Sequence, residues 1–298
     1  MQCARASNGG TAITFSMPTK HAKIPEPLAE GAITTRAEKK QVEERVAIGA
    51  NVVYETIRRE GEDELERRSS ALAWSGLAAG LSMGFSFVAE AALDAHLPNA
   101  PWRPLISRLG YCVGFLIVIL GRQQLFTENT LTVILPILLR KDRKTLFNVA
   151  RLWSVVLSSN LIGTALFAYC IAYIRFFDPT MQQSFHDIGV AHLGVSFGTV
   201  LMRAIFAGWL IALMVWLLPG AETSRVSVII IITYLVGLAN LNHIIAGSTT
   251  MFYLVATHSM SLAQYFARFF VPTLLGNIIG GVSMVAALGH AQVVGAKS

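Results

Sequence analysis

The stretch Gly121–Thr130, reading Gly-Arg-Gln-Gln-Leu-Phe-Thr-Glu-Asn-Thr, lies between two apolar runs, Leu105–Leu120 and Leu131–Leu139. No other feature constrains the fold as much. Irregular backbone facing lipid leaves N–H and C=O groups unpaired in hydrocarbon, so a polar break at that depth must be buried in protein or line a cavity. A charge at the centre of a spanning helix costs about 2.5–3.5 kcal/mol, which marks Arg122 and Glu128 as functional. Neither flanking run reaches the roughly 20 residues that a span needs. The sequence therefore predicts one helix broken in its middle, in preference to a hairpin loop between two short helices. Arg122 and Glu128 are expected to form a buried ion pair that pins the break.

Composition agrees with a membrane protein. Of 298 residues, 53% are hydrophobic and 14% charged, and the mean hydropathy is +0.53, values foreign to an ordinary soluble enzyme. The net charge of +6 would suit nucleic acid, but the cations gather in short loops, where they set orientation instead; no nucleic-acid partner is expected. Cys3, Cys112 and Cys170 lack metal-ligand spacing, and the last two read as small buried hydrophobes. No metal or cofactor is expected. The polar segment Met1–Glu30 has no apolar core and does not read as a cleavable signal.

Three segments follow. Residues 1–35 read as a disordered or extended arm. Residues 36–69 read as a charged cytoplasmic helix in which Val42, Val46, Ala50, Val53 and Ile57 recur at helical spacing. Gly61 and the acidic run Glu60–Glu66 should interrupt it before the membrane. Its apolar stripe docks on the channel mouth or on lipid, or the helix is simply solvated. Residues 70–298 form the membrane domain, with spans drawn at about 70–93, 105–139 (broken), 146–175, 190–218, 226–257 (broken) and 268–290. The loop Arg140-Lys141-Asp142-Arg143-Lys144 is the most cationic. By the positive-inside rule it is cytoplasmic, and with six spans so are both termini. Arg103 and Arg108 then fall outside, against the rule.

The fifth span repeats the oddity of the second. The apolar run Ser227–Gly237 is followed by Asn240, Asn242, His243, Gly247, Ser248, Thr249 and Thr250 before Met251–Ala256. Two other pairs recur at similar separations. Gly80-Leu-Ser-Met-Gly84 matches Gly194-Val-Ser-Phe-Gly198, and Asn160-Leu-Ile-Gly163 matches Asn277-Ile-Ile-Gly280. A duplicated three-span unit must insert in opposite orientations. The expected fold is an all-α membrane protein of six transmembrane helices, two of them broken, arranged as an inverted three-helix repeat with the broken helices meeting near the midplane. The Gly-x-Ser-x-Gly pair, read as lying within apolar helices, suits close helix packing better than a nucleophile elbow.

The chain resembles the formate/nitrite transporter family over about residues 70–290. The residues that carry the resemblance are Leu125-Phe126-Thr127, Asn160-Leu161-Ile162-Gly163, Trp209-Leu210 with Trp216, His243, and Pro272 followed by Gly276-Asn277-Ile278-Ile279-Gly280-Gly281. The long N-terminal segment resembles a less characterised bacterial inner-membrane branch. The resemblance implies an aquaporin-like protomer within a homopentamer, each protomer with its own pore. It also implies that Thr127 and His243 face each other between two apolar constrictions, with Leu125 and Phe126 at the cytoplasmic one, Asn242 beside the His, and Phe206 and Phe115 in the pore wall. Several positions depart from the family pattern: Gln124 and Asn242 where acids are common, Glu128 where a small residue is common, Gly208 and Gly247 where Asn is common, and Arg122, which has no counterpart.

The function read from this is a channel or transporter for small monovalent anions or their conjugate weak acids, such as formate, nitrite or hydrosulfide. His243 would relay a proton, because imidazole titrates near neutral pH. Alternatives are a pore for small neutral solutes and, more remotely, an intramembrane hydrolase using Ser82 or Ser196 with His243.

Overall fold

The computed structural model describes residues 48–174 and 176–289. The arm 1–35, Cys3, and the start of the charged helix with Val42 and Val46 lie outside them. The described residues are helical, with no strand among them.

Helix α1, Ala50–Glu66, buries Val53, Ile57, Gly61 and Leu65, one residue per turn. Val53 and Ile57 join Leu131, Ile134, Leu135, Ala212, Val215 and Trp216 in one apolar cluster. Burying a side chain of that size stabilises by about 1.5–3 kcal/mol, so the stripe docks on protein and the helix is not free in solvent. The expected interruption at Gly61 does not occur. Gly61 sits inside the helix because α1 approaches the chain there: an added Cβ would lie 2.1 Å from the Thr132 carbonyl oxygen. Charge holds the same face. Arg140 donates to Glu62 at 2.7 Å, and Arg151 donates to the carbonyls of Leu65 and Arg67 at 2.7 and 3.0 Å.

Next come α2, Ser69–His96, and α3, Arg103–Leu120, whose middle is a 3-10 turn at Arg108–Tyr111. Beyond the break lie α4, Phe126–Thr132, and α5, Ile134–Arg140. Lys141 then turns the chain with a φ of 49°, and Asp142 caps α6, Arg143–Ile174, by accepting from the Thr145 N–H at 2.9 Å. A surface helix that the sequence reading placed in a loop follows: α7, Pro179–Val190, with Asp178 as N-cap. The second half comprises α8, Phe197–Leu217; α9, Arg225–Leu238; α10, Ile244–Ala256; and α11, Val271–Gly289, entered through a π-helical turn at Tyr265–Phe270. Among the described residues, five helical stretches are long and apolar enough to cross a membrane: Ser69–His96, Arg103–Leu120, Arg143–Ile174, Phe197–Gly220 and Leu262–Met284. The apolar helices α9 and α10 are shorter.

The principal pairings are α2 on α6 and α8 on α11, and they show the repeat. A Cβ on Gly80 would lie 2.2 Å from the Asn160 carbonyl oxygen, and one on Gly208 would lie 2.5 Å from that of Asn277. Gly208 is thus the counterpart of Gly80, and the duplication expected at Gly194–Gly198 is out of register. Gly194 lies in a turn with φ of 77°, and Ser196 is the N-cap of α8, accepting from the Thr199 N–H at 3.2 Å. The fourth span drawn from residue 190 accordingly begins at Phe197. Of the cysteines, Cys112 is buried while Cys170 is exposed, against the expected burial of both.

Candidate functional site

Both breaks are built alike. At the end of α3, Arg122 takes a φ of 50°, its N–H bonds to the Ile119 carbonyl, and the Gln123 N–H reaches back to Val118. At the end of α9, Asn240 takes a φ of 50°, its N–H bonds to Gly237, and the Leu241 N–H reaches back to Val236. This is a Schellman ending, with Arg and Asn in the left-handed position where Gly is usual. The freed backbone is then gathered by one asparagine in each half. Asn160 Oδ1 accepts from the Phe126 N–H at 2.9 Å, while its Nδ2 donates to the carbonyls of Gln124 (2.9 Å) and Gly76 (2.7 Å). Asn277 Oδ1 accepts from the Ile244 N–H at 2.8 Å, while its Nδ2 donates to the carbonyls of Asn242 (2.9 Å) and Ala204 (2.8 Å). Both amides are fully buried. Each replaces the helical bonds that the break removes, which is how polar backbone is kept at this depth.

After each break a helix restarts, α4 with Leu125 as N-cap and α10 with His243 as N-cap. The two starts meet. Thr127 Oγ1 and His243 Nε2 are 2.7 Å apart, and both residues are buried. His243 Nδ1 accepts from the Ala246 N–H at 3.2 Å. A nitrogen that accepts carries no proton, so neutral His243 is the Nε2–H tautomer. Nε2–H donates to Thr127 Oγ1, which frees the threonine hydroxyl proton for a further acceptor. The Phe115 ring stands edge-on to the imidazole with centroids 5.0 Å apart. Leu125 and Phe126 are buried beside the pair, Phe126 edge-on to Trp153 at 5.7 Å.

Other expected residues are placed differently. Phe206 is half exposed on the outer face, against Trp209, and is not brought to the pair. Arg122 and Glu128 do not pair. The left-handed turn leaves Arg122 exposed, and Glu128 sits half-buried in the first turn of α4. Neither Ser82 nor Ser196 bonds to His243; Ser196 Oγ pairs with Thr199 Oγ1 at 2.9 Å. Both imidazole nitrogens of His243 are already engaged, with Thr127 Oγ1 and the Ala246 N–H.

Sequence reasoning missed a polar layer on each side of the pair. On one side Gln124, where the acid is absent, takes a bond from Asn129 Nδ2 at 3.1 Å, and Trp153 Nε1 donates to the Asn129 carbonyl at 3.2 Å. On the other, Arg108 donates to the buried carboxylate of Glu90 and, at 2.9 Å, to Asn240 Oδ1. Arg103 likewise pairs with Asp94. The cations that broke the orientation rule are therefore neutralised by acids of α2. The signal for Glu90 was an acid within an otherwise apolar span.

Two cavities adjoin the site. One of about 30 Å³ is lined by Glu90, Arg108, His192, Asn242 and His243 among others. The larger, about 110 Å³, shares His192, Asn242 and Phe269 with it and adds Arg203 and Arg268.

With the geometry established, comparison with known proteins is informative. A family profile described as formate/nitrite transporter matches residues 51–291. The chain is 40% identical over 251 residues to inner membrane protein YfdC of Escherichia coli, covering 84% of this chain and 81% of that protein. It is 24% identical to formate channel BtFdhC of Bacillus thuringiensis, covering 78% and 91% of the two chains. Among solved structures, an FNT family ion channel superposes with a TM-score of 0.69 at 16% identity, covering 81% of this chain and 99% of that one. A pentameric formate channel with formate bound superposes with 0.63 at 19% identity, covering 73% and 94%.

Proposed function

This chain belongs to the formate/nitrite transporter family, and we propose that it conducts small monovalent anions, or their conjugate weak acids, through a pathway centred on Thr127 and His243. The family is one of transporters, and the chain is a multi-pass membrane protein. The finer reading is a homopentamer in a bacterial inner membrane, with six spans, both termini and α1 on the cytoplasmic side, and one pathway per protomer.

The observation that carries the reading is the buried Thr127–His243 contact, made where the starts of α4 and α10 meet. An anion entering an apolar site must be compensated by donors or by a proton. The neutral Nε2–H tautomer orients the Thr127 hydroxyl outward as a donor, while Phe115, Leu125 and Phe126 keep the surroundings dry. The relay role for His243 requires Nδ1 to take a proton. That breaks its bond from Ala246 N–H and sets a cation at a helix N-terminus, where the dipole opposes it. We therefore assign His243 the role of a neutral, fixed donor.

Electrode-detected flux of formate, nitrite and hydrosulfide into proteoliposomes at two pH values tests this. Weak-acid flux is expected in the wild type, and His243→Phe should abolish it while leaving the oligomer intact. Swelling driven by neutral solutes, with no weak-acid flux, would establish the neutral-pore alternative instead.

A further inference from the structure

The 30 Å³ cavity beside His243 is lined by an acid and a cation for which the proposed pathway has no role. Glu90 is 4% exposed and Arg108 donates to it. Arg108 also holds Asn240 Oδ1 at 2.9 Å, the residue whose left-handed turn begins the second break. A guanidinium has five N–H donors, and two bonds are made here. The space holds about two waters, at 10–15 Å³ for each, or one small oxyanion. It shares His192, Asn242 and Phe269 in its wall with the larger cavity, which carries Arg203 and Arg268.

Charge neutrality limits what such a cavity accepts. An ionised Glu90 and Arg108 together carry no net charge. An anion entering alone would leave the cavity with an uncompensated negative charge in a poorly solvated place, the arrangement that burial penalises most. An anion entering with a proton leaves it neutral.

We propose that Glu90 and Arg108 are an exchangeable pair: a proton taken by Glu90 releases Arg108 to hold the incoming anion, so that proton and anion load this cavity together. The inference rests on the weak-acid reading above and names the residues that couple the two species. In the loading step the Glu90 carboxylate gains a proton, and its bond from Arg108 is replaced by one from Arg108 to the anion. In the leaving step the O–H bond of Glu90 breaks and a new O–H (or S–H) bond forms on the anion. The neutral acid moves on to Thr127 and His243, and the Glu90 carboxylate returns to Arg108. One proton and one anion enter, and one neutral acid leaves. The other titratable or charged groups facing this space are Tyr111 on α3, Asp94 on α2 (held by Arg103), His192 after α7, Arg203 on α8 beyond His192, and His243 at the second break.

The test is formate influx into proteoliposomes as a function of external pH, together with proton uptake when formate is added to the solubilised protein in weak buffer. Wild type should gain about tenfold in flux per pH unit of acidification, the slope of a one-proton step, and take up one proton per formate bound. Glu90→Gln should flatten the flux slope to less than about twofold per unit and take up no proton. If Glu90→Gln fails to assemble because Arg108 is orphaned, the doubly neutral Glu90→Gln/Arg108→Gln protein must also lack the slope. A tenfold slope retained in either variant overturns the inference while leaving the weak-acid pathway standing. Absence of weak-acid flux in the wild type overturns both.

Discussion

Asn160→Ala and Asn277→Ala should damage the protein equally, because each removes the same three bonds. Asn277 accepts from Ile244 N–H at 2.8 Å and donates to the carbonyls of Asn242 and Ala204 at 2.9 and 2.8 Å; for Asn160 the corresponding lengths are 2.9, 2.9 and 2.7 Å. Alanine leaves one N–H (Phe126 or Ile244) and one carbonyl (Gln124 or Asn242) without a partner, while the Gly76 and Ala204 carbonyls keep their bonds within α2 and α8. An orphaned buried polar group costs about 1–3 kcal/mol. Two give a minimum near 2 kcal/mol, above the ~1 kcal/mol typical of single substitutions. For a domain of this size each kcal/mol lowers Tm by about 2–4 °C, so the expected loss is at least about 4–8 °C in either variant. The assay is the thermal midpoint of the detergent-solubilised oligomer, followed by size-exclusion chromatography, with flux measured at a temperature where both variants remain assembled. A variant within about 2 °C of the wild type, or a large loss in one half and none in the other, would refute the claim that the two amides hold the breaks by the same bonds.

Three further outcomes follow from local geometry. Arg122→Gly should raise stability by about 1 kcal/mol, since Arg122 holds a left-handed φ of 50° that costs an L-residue about 1–2 kcal/mol; a lower Tm in that variant would mean the arginine side chain makes a stabilising contact. Gly61→Val should detach α1, because the Thr132 carbonyl leaves no room for a Cβ, and limited proteolysis between α1 and α2 should accelerate; unchanged cleavage would contradict the docking. Acid should loosen α1 as well. Burial works to raise the Glu62 carboxyl, but Arg140 and Arg58 outweigh it and hold the group below its ordinary value. A depressed folded-state pKa gives stability that is present above the unfolded value near 4.3 and lost as pH falls through the folded one. Amide protection factors in α1, taken against the intrinsic exchange rate at each pH, should therefore fall at pH values below about 4, an effect that Glu62→Gln abolishes; an acid-induced fall persisting in that variant would transfer the effect to other carboxylates.

What could be read from the sequence was what hydrocarbon penalises. Polar residues within apolar runs need partners, so the two breaks and the Asn160–Asn277 recurrence could be argued before any coordinates, whereas the pairing of Thr127 with His243 was implied only by the family resemblance. Register was not legible in the helices that pack by small residues. Gly, Ala and Ser recur throughout such helices, and Gly194-Val-Ser-Phe-Gly198 matched Gly80–Gly84 by composition while serving as a turn and a cap. The true counterpart, Gly208, is identified only by the carbonyl it faces. Proximity in sequence also misled. Six residues separate Arg122 from Glu128, but the left-handed turn at Arg122 directs its side chain away, and a turn of that kind is common at Gly or Asn and not at Arg. The signal for α7 was present in Asp178-Pro179, an N-cap followed by proline at the first helical position, in a stretch otherwise too polar to attract notice.

The repeat also bears on why the proposed site draws on so few residues. By their Asn partners and helix restarts, Leu125 and His243 are equivalent: each is the N-cap that follows a residue whose carbonyl the buried amide holds. One half places an apolar side chain at that position, and the other an imidazole that caps its own helix through Nδ1. If both positions carried His, two polar rings would compete for the space now sealed by Phe115, Leu125 and Phe126. If both carried Leu, Thr127 would lose its partner, and its hydroxyl proton would no longer be directed outward. A duplicated scaffold gives identical backbone solutions to the problem of breaking a helix inside a membrane. In the proposed site the side chains at that one position differ, with Leu125 apolar and His243 setting the direction of the Thr127 hydroxyl.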